Sequence, residues 1–224
     1  PKDFRADSVR AMAECSVVCE HIHLPLQSGS DRVLKSMKRA YTKRRYLEKV
    51  AMVRDAIPDV AITTDIIVGF PGETEEDFEQ TLEVAEAARY DSAYTFQYSP
   101  RPMTAAAEMP DQIPKEVVQE RFDRLVDLQT SVSLERNERH VGQELDVLVE
   151  GVSRRDPSKL TGRTRHNKLV HFGGNGAAEG SIQMVRINGA HPHHLEGEPK
   201  GGRATTDRRA RLPLAAAPSG SGCS

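Results

Sequence analysis

Strong net charge, long apolar runs and an export signal are all missing from this sequence of 224 residues. The formal net charge of −2 excludes a protein that coats nucleic acid with its whole surface, so RNA contact must come from a local basic patch. No apolar run approaches the roughly 20 residues of a membrane span, and no charged-then-apolar start indicates secretion. These absences predict a soluble, cytoplasmic protein without a membrane partner, long enough for one large or two modest domains.

Cysteine is scarce, and its positions do not form a metal motif. The three cysteines are Cys15, Cys19 and Cys223. The first two stand in C-x₃-C spacing, but Cys19 follows Val17 and Val18 on the approach to a strand. We therefore interpret Cys19 as a small buried hydrophobe rather than a metal ligand.

Three strand-to-loop junctions of one design make up the first half of the chain. Each begins with an apolar strand and continues in a short loop rich in Gly, Ser or Pro. The alternation with helical patterns predicts a parallel sheet with helical crossovers, in which ligands bind where strands end. The predicted strands are Val17–Leu26, Val60–Phe70 and Ala93–Tyr98, and the predicted helices are Asp7–Glu14, Asp31–Met37, one from the N-cap Thr42 to Pro58 and one after the N-cap Thr74.

The second half changes character after a long helix, which opens at Pro114, runs to about His140 and stops at Gly142. Short strands at close spacing then predict a small antiparallel barrel. These strands are Glu144–Val152, Thr161–Arg165, Lys168–Phe172, Ser181–Ile187 and a short piece near Leu195. The predicted parts of the chain are a barrel segment at 1–141, a β-barrel at 142–198 and a disordered tail at 199–224.

Long motifs in two regions of the chain indicate a family. The sequence resembles the radical S-adenosylmethionine (SAM) methylthiotransferases in HLPLQSGSDRVLKSMKRAYT (23–42), TDIIVGFPGETEEDFEQT (64–81) and YSPRPMTAAAEMPDQIP (98–114). It resembles their terminal TRAM domain, a small RNA-binding module, in SRRDPSKLTGRTRHNKLVHF (153–172). The resemblance implies an α/β fold, the carboxyl-terminal half of a radical SAM βα (TIM-like) barrel followed by an all-β TRAM (OB-like) barrel.

The same resemblance implies an activity, cofactors and partners. The expected reaction adds a methylthio group to C2 of N6-isopentenyladenosine next to the anticodon of tRNA, with SAM and two 4Fe–4S clusters in the intact enzyme. The expected partners are tRNA and an electron donor, and the protein is expected to be a monomer. The family's cluster motif is C-x₃-C-x₂-C, and Ile22 stands where its third cysteine would be. We therefore expect a carboxyl-terminal part of a longer enzyme that is inactive by itself.

Two alternatives to this activity stay open. A sister family methylthiolates an aspartate of a ribosomal protein, and the missing cysteine also permits a non-catalytic RNA-binding fragment. An unrelated phosphate-binding barrel enzyme is disfavoured by the TRAM-like end.

Residues at the strand ends are the candidates for SAM binding. Gly69 and Gly72 let the backbone approach a flat ligand closely, and Ile67 offers an apolar platform for adenine. A buried Asp65 needs a partner, for which Arg101 is a candidate. Tight structural turns and an exposed loop arginine are the alternatives. The full cofactor-binding set is Gln27, Ser28, Ser30, Asp65, Ile67, Gly69, Gly72, Glu73, Tyr98 and Arg101. The family usually has Gly and Pro where this chain has Met103 and Ala105.

A basic cluster in the second half is the candidate RNA surface, opposed only by Asp156 within it. On a small barrel such a cluster suits the RNA backbone, although a solvated basic hairpin is the alternative. Its members are Arg154, Arg155, Lys159, Arg163, Arg165 and Lys168. The nearby stretch His191-Pro192-His193-His194 is predicted to be a surface turn, because adjacent histidines rarely converge on a metal without further ligands.

Overall fold

The computed structural model describes residues 1, 3–174 and 176–200. A three-stranded parallel sheet with helices against one face is joined by a long helix to a closed five-stranded barrel. This architecture confirms the predicted α/β part followed by a small β-barrel. In chain order the elements are α1 (Ala6–Glu14), β1 (His21–His23), α2 (Asp31–Ser36), α3 (Lys43–Ala56), β2 (Ala61–Val68), α4 (Glu75–Ala88), β3 (Ser92–Gln97), a 3₁₀ helix (Ala105–Glu108), α5 (Lys115–Glu138), β4 (Glu144–Val152), β5 (Lys159–Thr164), β6 (Leu169–Gly173), β7 (Ile182–Ala190) and β8 (Leu195–Pro199).

The sheet has the order β1-β2-β3, with both pairs parallel. Ile62 and Ile66 of β2 are fully buried against the helices, whereas Asp65 and Ile67 are half-buried on the opposite face. Strand β2 is therefore fully buried on one face and only partly covered on the other. Among the described residues, only the helical side provides a packing layer.

The first strand is much shorter than the predicted Val17–Leu26. Only His21–His23 pairs as a strand, and Val17 is exposed. Pro25 has no N–H with which to continue the ladder. The next donor, the Leu26 N–H, turns instead to the Thr64 hydroxyl at 2.9 Å.

The predicted helix caps are confirmed. The Thr42 hydroxyl accepts the Arg45 N–H at 3.3 Å. The Thr74 hydroxyl accepts the Asp77 N–H at 3.3 Å, and the Asp77 carboxylate accepts the Thr74 N–H at 2.9 Å. The second pair is a complete capping box, in which Asp replaces the usual Glu or Gln.

Helix α5 connects the sheet domain to the barrel. Leu125 is fully buried in the core that the helices share with the sheet. Gly142 follows the helix with a φ of 88°, a conformation that glycine adopts without strain. Its N–H donates to the Ile187 carbonyl of β7 at 2.8 Å, so the barrel starts directly at the helix end.

The barrel closes in the order β4-β5-β6-β8-β7, and β6 and β8 are its one parallel pair. The prediction of an antiparallel barrel is therefore right except at this pair. Gly162 lets β4 approach closely, because a Cβ at this position would lie 2.4 Å from the Leu148 carbonyl oxygen. The core side chains, each at most 1% exposed, are Val147, Val149, Val170, Phe172, Val185, Ile187 and Leu195.

No helix among the described residues is long and apolar enough to cross a membrane. The predicted tail was expected to start at residue 199, but Pro199 belongs to β8. Residues 201–224, with Cys223 and almost all of that predicted tail, lie outside the described residues.

Candidate functional site

One face of the parallel sheet is open and carries polar and aromatic side chains. Tyr94 and Phe96 of β3 are 61% and 51% exposed on this face. Asp65 and Ile67 of β2 lie beside them, and His23 of β1 is exposed at its edge. Exposed aromatic rings beside a carboxylate and an imidazole form a surface suited to binding a ligand that is both flat and polar.

Hydrogen bonds join the side chains of this face into a chain. His23 Nε2 lies 3.3 Å from Asp65 Oδ2, and its Nδ1 lies 3.0 Å from the Thr63 hydroxyl. The same hydroxyl lies 3.0 Å from His21 Nε2. Burial lowers the pKa of His21, which favours its neutral form. Asp65 is therefore paired with His23, and the prediction that Arg101 pairs with it is wrong; Arg101 is exposed in the loop after β3.

The Gln27–Ser30 turn is held by its own hydrogen bonds. Gln27 has a φ of 68° and links to β2 through backbone bonds to Asp65 and Ile67. The Ser30 hydroxyl donates to Asp77 at 2.6 Å and accepts the Val33 N–H, which caps α2. Ser28 and Ser30 are fully buried, so the tight-turn alternative describes their role in the structure.

Asp77 is the acceptor that organises this turn. Its carboxylate receives the Ser30 hydroxyl, the Thr74 N–H and hydroxyl, and the guanidinium of Arg32. Burial alone would raise its pKa, but the hydrogen bonds from Arg32, Ser30 and Thr74 outweigh burial and hold the pKa well below its usual range. Asp77 is 45 residues from Arg32 and 47 residues from Ser30, so sequence reasoning missed these contacts.

Glu73 has a structural position as well. Its Oε2 accepts the Gly69 N–H at 2.9 Å and pairs with Arg121 Nη1 of α5 at 3.1 Å. Burial raises the pKa of Glu73 against the opposing effect of these donors. A Cβ on Gly69 would lie 2.5 Å from a Val118 methyl group, so this glycine serves close packing of α5. The Gly69 N–H and Glu73 Oε2 are thus engaged within the protein, whereas Glu73 Oε1 is buried without a hydrogen-bond partner among the described residues.

Other predicted SAM-binding residues keep a group that faces outward or lacks a partner. Ile67 is half-exposed at the end of β2. The Tyr98 hydroxyl is buried without a hydrogen-bond partner among the described residues, and its ring packs edge-on against Phe70 with centroids 5.4 Å apart. Gly72, by contrast, is engaged: its N–H donates to the Asp111 carbonyl at 2.8 Å, its carbonyl accepts from Arg32 at 2.6 Å, and a Cβ here would lie 3.9 Å from the Asp111 side chain.

The predicted RNA-binding residues do not all lie on one solvent face. Arg154 and Arg155 are exposed in the β4–β5 loop. Lys159 pairs with Glu196 at 3.2 Å, and Arg163 lies 3.5 Å from Glu150 on β4. Lys168 is only 8% exposed and Arg165 is half-buried, and both contact the sheet domain.

Arg165 and Lys168 join the barrel to the sheet domain. Arg165 Nε and Nη2 each donate to one carboxylate oxygen of Glu20 at 2.7 Å. Nη2 also donates to the Ser16 and Val18 carbonyls. Lys168 Nζ lies 2.9 Å from Asp91, in the loop before β3. These two cations therefore have acidic partners within the protein before any RNA is bound.

Asp91 is the centre of this junction and was missed in the sequence. It is 4% exposed and accepts two hydrogen bonds from Arg136 of α5, at 3.1 and 2.9 Å, as well as the Ile62 N–H. Burial alone would raise its pKa, but Lys168 and Arg136 outweigh burial and lower it. A buried carboxylate between two cations from different elements holds the two domains in one arrangement.

A cleft of about 330 Å³ lies between the open face and the barrel. His21, His23 and Tyr94 line it from the sheet, and Arg163 and His194 line it from the barrel. His23 and Tyr94 were also missed as site residues. The signal that could have found them is the alternation of β1 and β3, which places them on the same face as Asp65.

The cysteines do not fit an iron–sulfur cluster. Cys15 and Cys19 are free and exposed, so the interpretation of Cys19 as a buried hydrophobe is wrong. Ile22, at the third position of the cluster motif, is 6% exposed in the hydrophobic core. The described residues therefore offer two thiolates where a radical SAM cluster needs three.

Comparisons with known proteins place both parts in families. Residues 2–85 match the Radical SAM superfamily, and residues 138–200 match the TRAM domain. A solved structure entitled "Coproporphyrinogen III oxidase (HemN) from Escherichia coli is a Radical SAM enzyme" superposes with a TM-score of 0.51 at 16% identity, over 74% of this chain and 45% of that one. This likeness supports the fold alone. The fold and the matches together define a radical SAM protein with a TRAM domain.

Within that class, the comparisons agree with the resemblance to the radical SAM methylthiotransferases that the motifs indicated. It is 53% identical over 203 residues to the tRNA-2-methylthio-N(6)-dimethylallyladenosine synthase of Mycobacteroides abscessus, covering 87% of this chain and 40% of that protein. The synthase of the same name from Saccharopolyspora erythraea is 52% identical over 219 residues, covering 94% of this chain and 44% of that protein. The chain thus spans about two-fifths of the length of these relatives.

Proposed function

We propose that this chain works as part of an enzyme that adds a methylthio group to C2 of N6-isopentenyladenosine next to the anticodon of tRNA. The observation that carries the proposal is a radical SAM sheet held to a TRAM barrel through Asp91 and Lys168, in a chain 53% identical to a tRNA-2-methylthio-N(6)-dimethylallyladenosine synthase. The activity belongs to the whole protein, of which these residues form one part.

In this proposal the carboxyl edge of the parallel sheet contacts SAM. Ile67 offers an apolar surface for the adenine ring, and the unpartnered Tyr98 hydroxyl offers a donor to the polar part of the ligand. Asp65, oriented by His23, presents a carboxylate on the same face. One molecule of SAM would supply the methyl group, and a second molecule, after one-electron reduction, would supply the deoxyadenosyl radical. Gln27, Gly72 and Arg101 complete the proposed contact set at the neighbouring loops.

The remaining predicted SAM-binding residues shape the binding edge without contacting SAM themselves. Ser28, Ser30, the Gly69 N–H and Glu73 Oε2 form hydrogen bonds within the turns that shape this edge, while Glu73 Oε1 lacks a hydrogen-bond partner among the described residues. They hold the loops after β1 and β2 against α4 and α5, beside the face on which Asp65 and Ile67 lie. A substitution at these four residues would disturb SAM binding by moving the edge rather than by removing a contact.

The 4Fe–4S clusters do not fit the described residues, because Cys15 and Cys19 lack a third cysteine at Ile22. No step of the reaction is therefore assigned to the cysteines of this chain. Cluster binding and the electron donor are properties that we propose for the whole enzyme, together with a cytoplasmic location and a monomeric state.

RNA binding is proposed for the exposed part of the basic cluster. Arg154 and Arg155 face solvent in one loop of the TRAM domain, and Arg163, toward the other end of β5, lines the cleft. Lys159 borders the same surface while paired with Glu196. Phosphate contacts at such residues give sequence-independent, salt-sensitive affinity. Arg165 and Lys168, although in the predicted set, serve this surface by docking the barrel.

The test of the activity uses the gene that encodes the whole protein in its native host. Deletion should remove the methylthiolated nucleoside from total tRNA and leave N6-isopentenyladenosine in its place, measured by mass spectrometry of digested tRNA. Restoring the gene should restore the modification, and a copy with Asp65→Ala should restore it poorly. Unchanged tRNA nucleosides after deletion would contradict the proposal.

A non-catalytic role in RNA binding is the second candidate, favoured by the two cysteines without a third. The same experiment separates the two functions. If the protein only binds RNA, deletion leaves methylthiolation intact, while the purified chain still binds tRNA.

A further inference from the structure

The turn between β7 and β8 is closed tightly enough to bring two histidines together. The His191 N–H donates to the His194 carbonyl at 2.9 Å, so the chain reverses within four residues. The two imidazoles lie face to face, with centroids 4.4 Å apart and planes 14° from parallel. Neutral imidazole is a common metal ligand in proteins, and this geometry places two such rings side by side.

A carboxylate completes the group from the adjoining strand. Glu196 of β8 pairs in register with Gly189 of β7, where the missing side chain leaves room above the strand. Its Oε2 lies 3.9 Å from His191 Nε2. One donor atom from each of His191, His194 and Glu196 lies within 4.8 Å of the other two. The sequence predicted only a surface turn here, because adjacent histidines need a further ligand to bind a metal. Glu196 supplies that further ligand.

The surroundings favour the metal-binding forms of His194 and Glu196. Burial and the neighbouring His191 lower the pKa of His194. A salt bridge to Lys159 at 3.2 Å lowers the pKa of Glu196 and occupies its Oε1, which leaves Oε2 facing the histidines. His171, cross-strand from Glu196, packs edge-on against His194 with centroids 5.0 Å apart. Its buried Nδ1 has no hydrogen-bond partner in the part of the chain that the structure describes.

We propose that His191, His194 and Glu196 bind one divalent transition-metal ion, with Zn²⁺ as the best match. Two imidazoles and a carboxylate are a ligand set that zinc takes in proteins, whereas Mg²⁺ and Ca²⁺ prefer oxygen ligands throughout. Donor atoms within 4.8 Å converge on one ion after small side-chain rotations. Three protein ligands leave the fourth tetrahedral position to water. His194 also lines the cleft described above, whereas His191 and Glu196 lie outside that lining.

The test titrates the full chain, untagged and stripped of metal, with Zn²⁺ and with Co²⁺. All variants carry Cys15→Ser, Cys19→Ser and Cys223→Ser, because free thiols are rival ligands for both ions. The parent should bind one ion per chain, with the visible absorption of tetrahedral Co²⁺ and a raised Tm. His194→Ala and Glu196→Gln should each weaken binding at least about tenfold.

His193→Ala is the matched control, because His193 lies in the same turn but outside the three-residue cluster. Its binding should equal that of the parent, and far-UV circular dichroism should be the same for all variants. Absence of stoichiometric binding by the parent would overturn the proposal. So would equal losses in His193→Ala and His194→Ala, or parental affinity in both His194→Ala and Glu196→Gln, since either result places the ion elsewhere.

Discussion

The two domains bury their strands in different ways. In the barrel every strand has two neighbours, and seven apolar side chains fill the interior with almost no exposure. In the parallel sheet one face is packed by helices, while the other exposes Tyr94, Phe96 and a hydrogen-bonded pair of His23 and Asp65. The difference separates roles: the closed interior supplies stability, and the open face supplies binding groups at little cost to the fold.

The largest predicted effect tests this difference with two phenylalanines. Phe172→Ala in the barrel core should lower the free energy of unfolding by about 3–5 kcal/mol, because it leaves a cavity. Phe96→Ala on the open face, where the ring is 51% exposed, should change it by less than about 0.5 kcal/mol. Urea denaturation of both variants measures the contrast. Equal losses would show that the open face is packed as tightly as the barrel.

The next effect concerns the junction between the domains. Asp91→Ala leaves Arg136 and Lys168 without their shared buried carboxylate, and we expect a loss of about 3–5 kcal/mol. The matched control is Glu83→Ala, which removes an exposed pair with Lys43 and should cost less than about 1 kcal/mol. Chemical denaturation checks both variants. A small loss in Asp91→Ala would mean that the domains are held chiefly by other contacts.

A pH effect follows from His140 at the same junction. Burial lowers its pKa from 6.5 to about 4, so the folded protein holds it neutral while the unfolded chain binds a proton below about pH 6.5. Stability should therefore fall as the pH is lowered from about 6.5 to about 4. His140→Gln should reduce the loss in unfolding free energy between pH 7 and pH 5, whereas exposed His193→Gln should not. The pKa values of His21 and His166 are also lowered, so the His140→Gln variant should still lose part of its stability at low pH.

Local features of the fold were readable from the sequence. Thr42 and Thr74 correctly predicted where two helices begin, because capping depends on a few adjacent residues. The spacing of strands and turns predicted both the parallel sheet and the barrel. The short β1 shows the limit of this reasoning, since its apolar run from Val17 suggested a longer strand. Apolar composition does not report whether a partner strand lies alongside.

The site was harder to predict, because its roles depend on distant partners. Ser30 and Glu73 have residue types that suit a ligand, yet Asp77 and Arg121 engage them in the fold. Lys168 belonged to a basic run in sequence but meets Asp91 from the other domain. A hydrogen-bonding residue after a strand is compatible with either role, and only the tertiary contacts distinguish them.

The smallest expected effect on stability is that of replacing the exposed arginines Arg154 and Arg155. Their proposed role in RNA binding is tested instead by the salt dependence of tRNA affinity. Arg154→Ala with Arg155→Ala should leave stability within about 0.5 kcal/mol of the parent, because both residues are exposed. If both contact phosphates of a largely single-stranded loop, the slope of log affinity against log salt should flatten by about 1.4.

Titration of tRNA into the parent, the Arg154/Arg155 double variant and Arg165→Ala, at several salt concentrations, tests the account's central claim directly. The claim is that the exposed arginines bind RNA while Arg165, paired with Glu20, docks the domains. The predicted result is a flatter slope in the double variant and a parental slope in Arg165→Ala. A parental slope in the double variant, with the loss of slope in Arg165→Ala instead, would contradict the assignment.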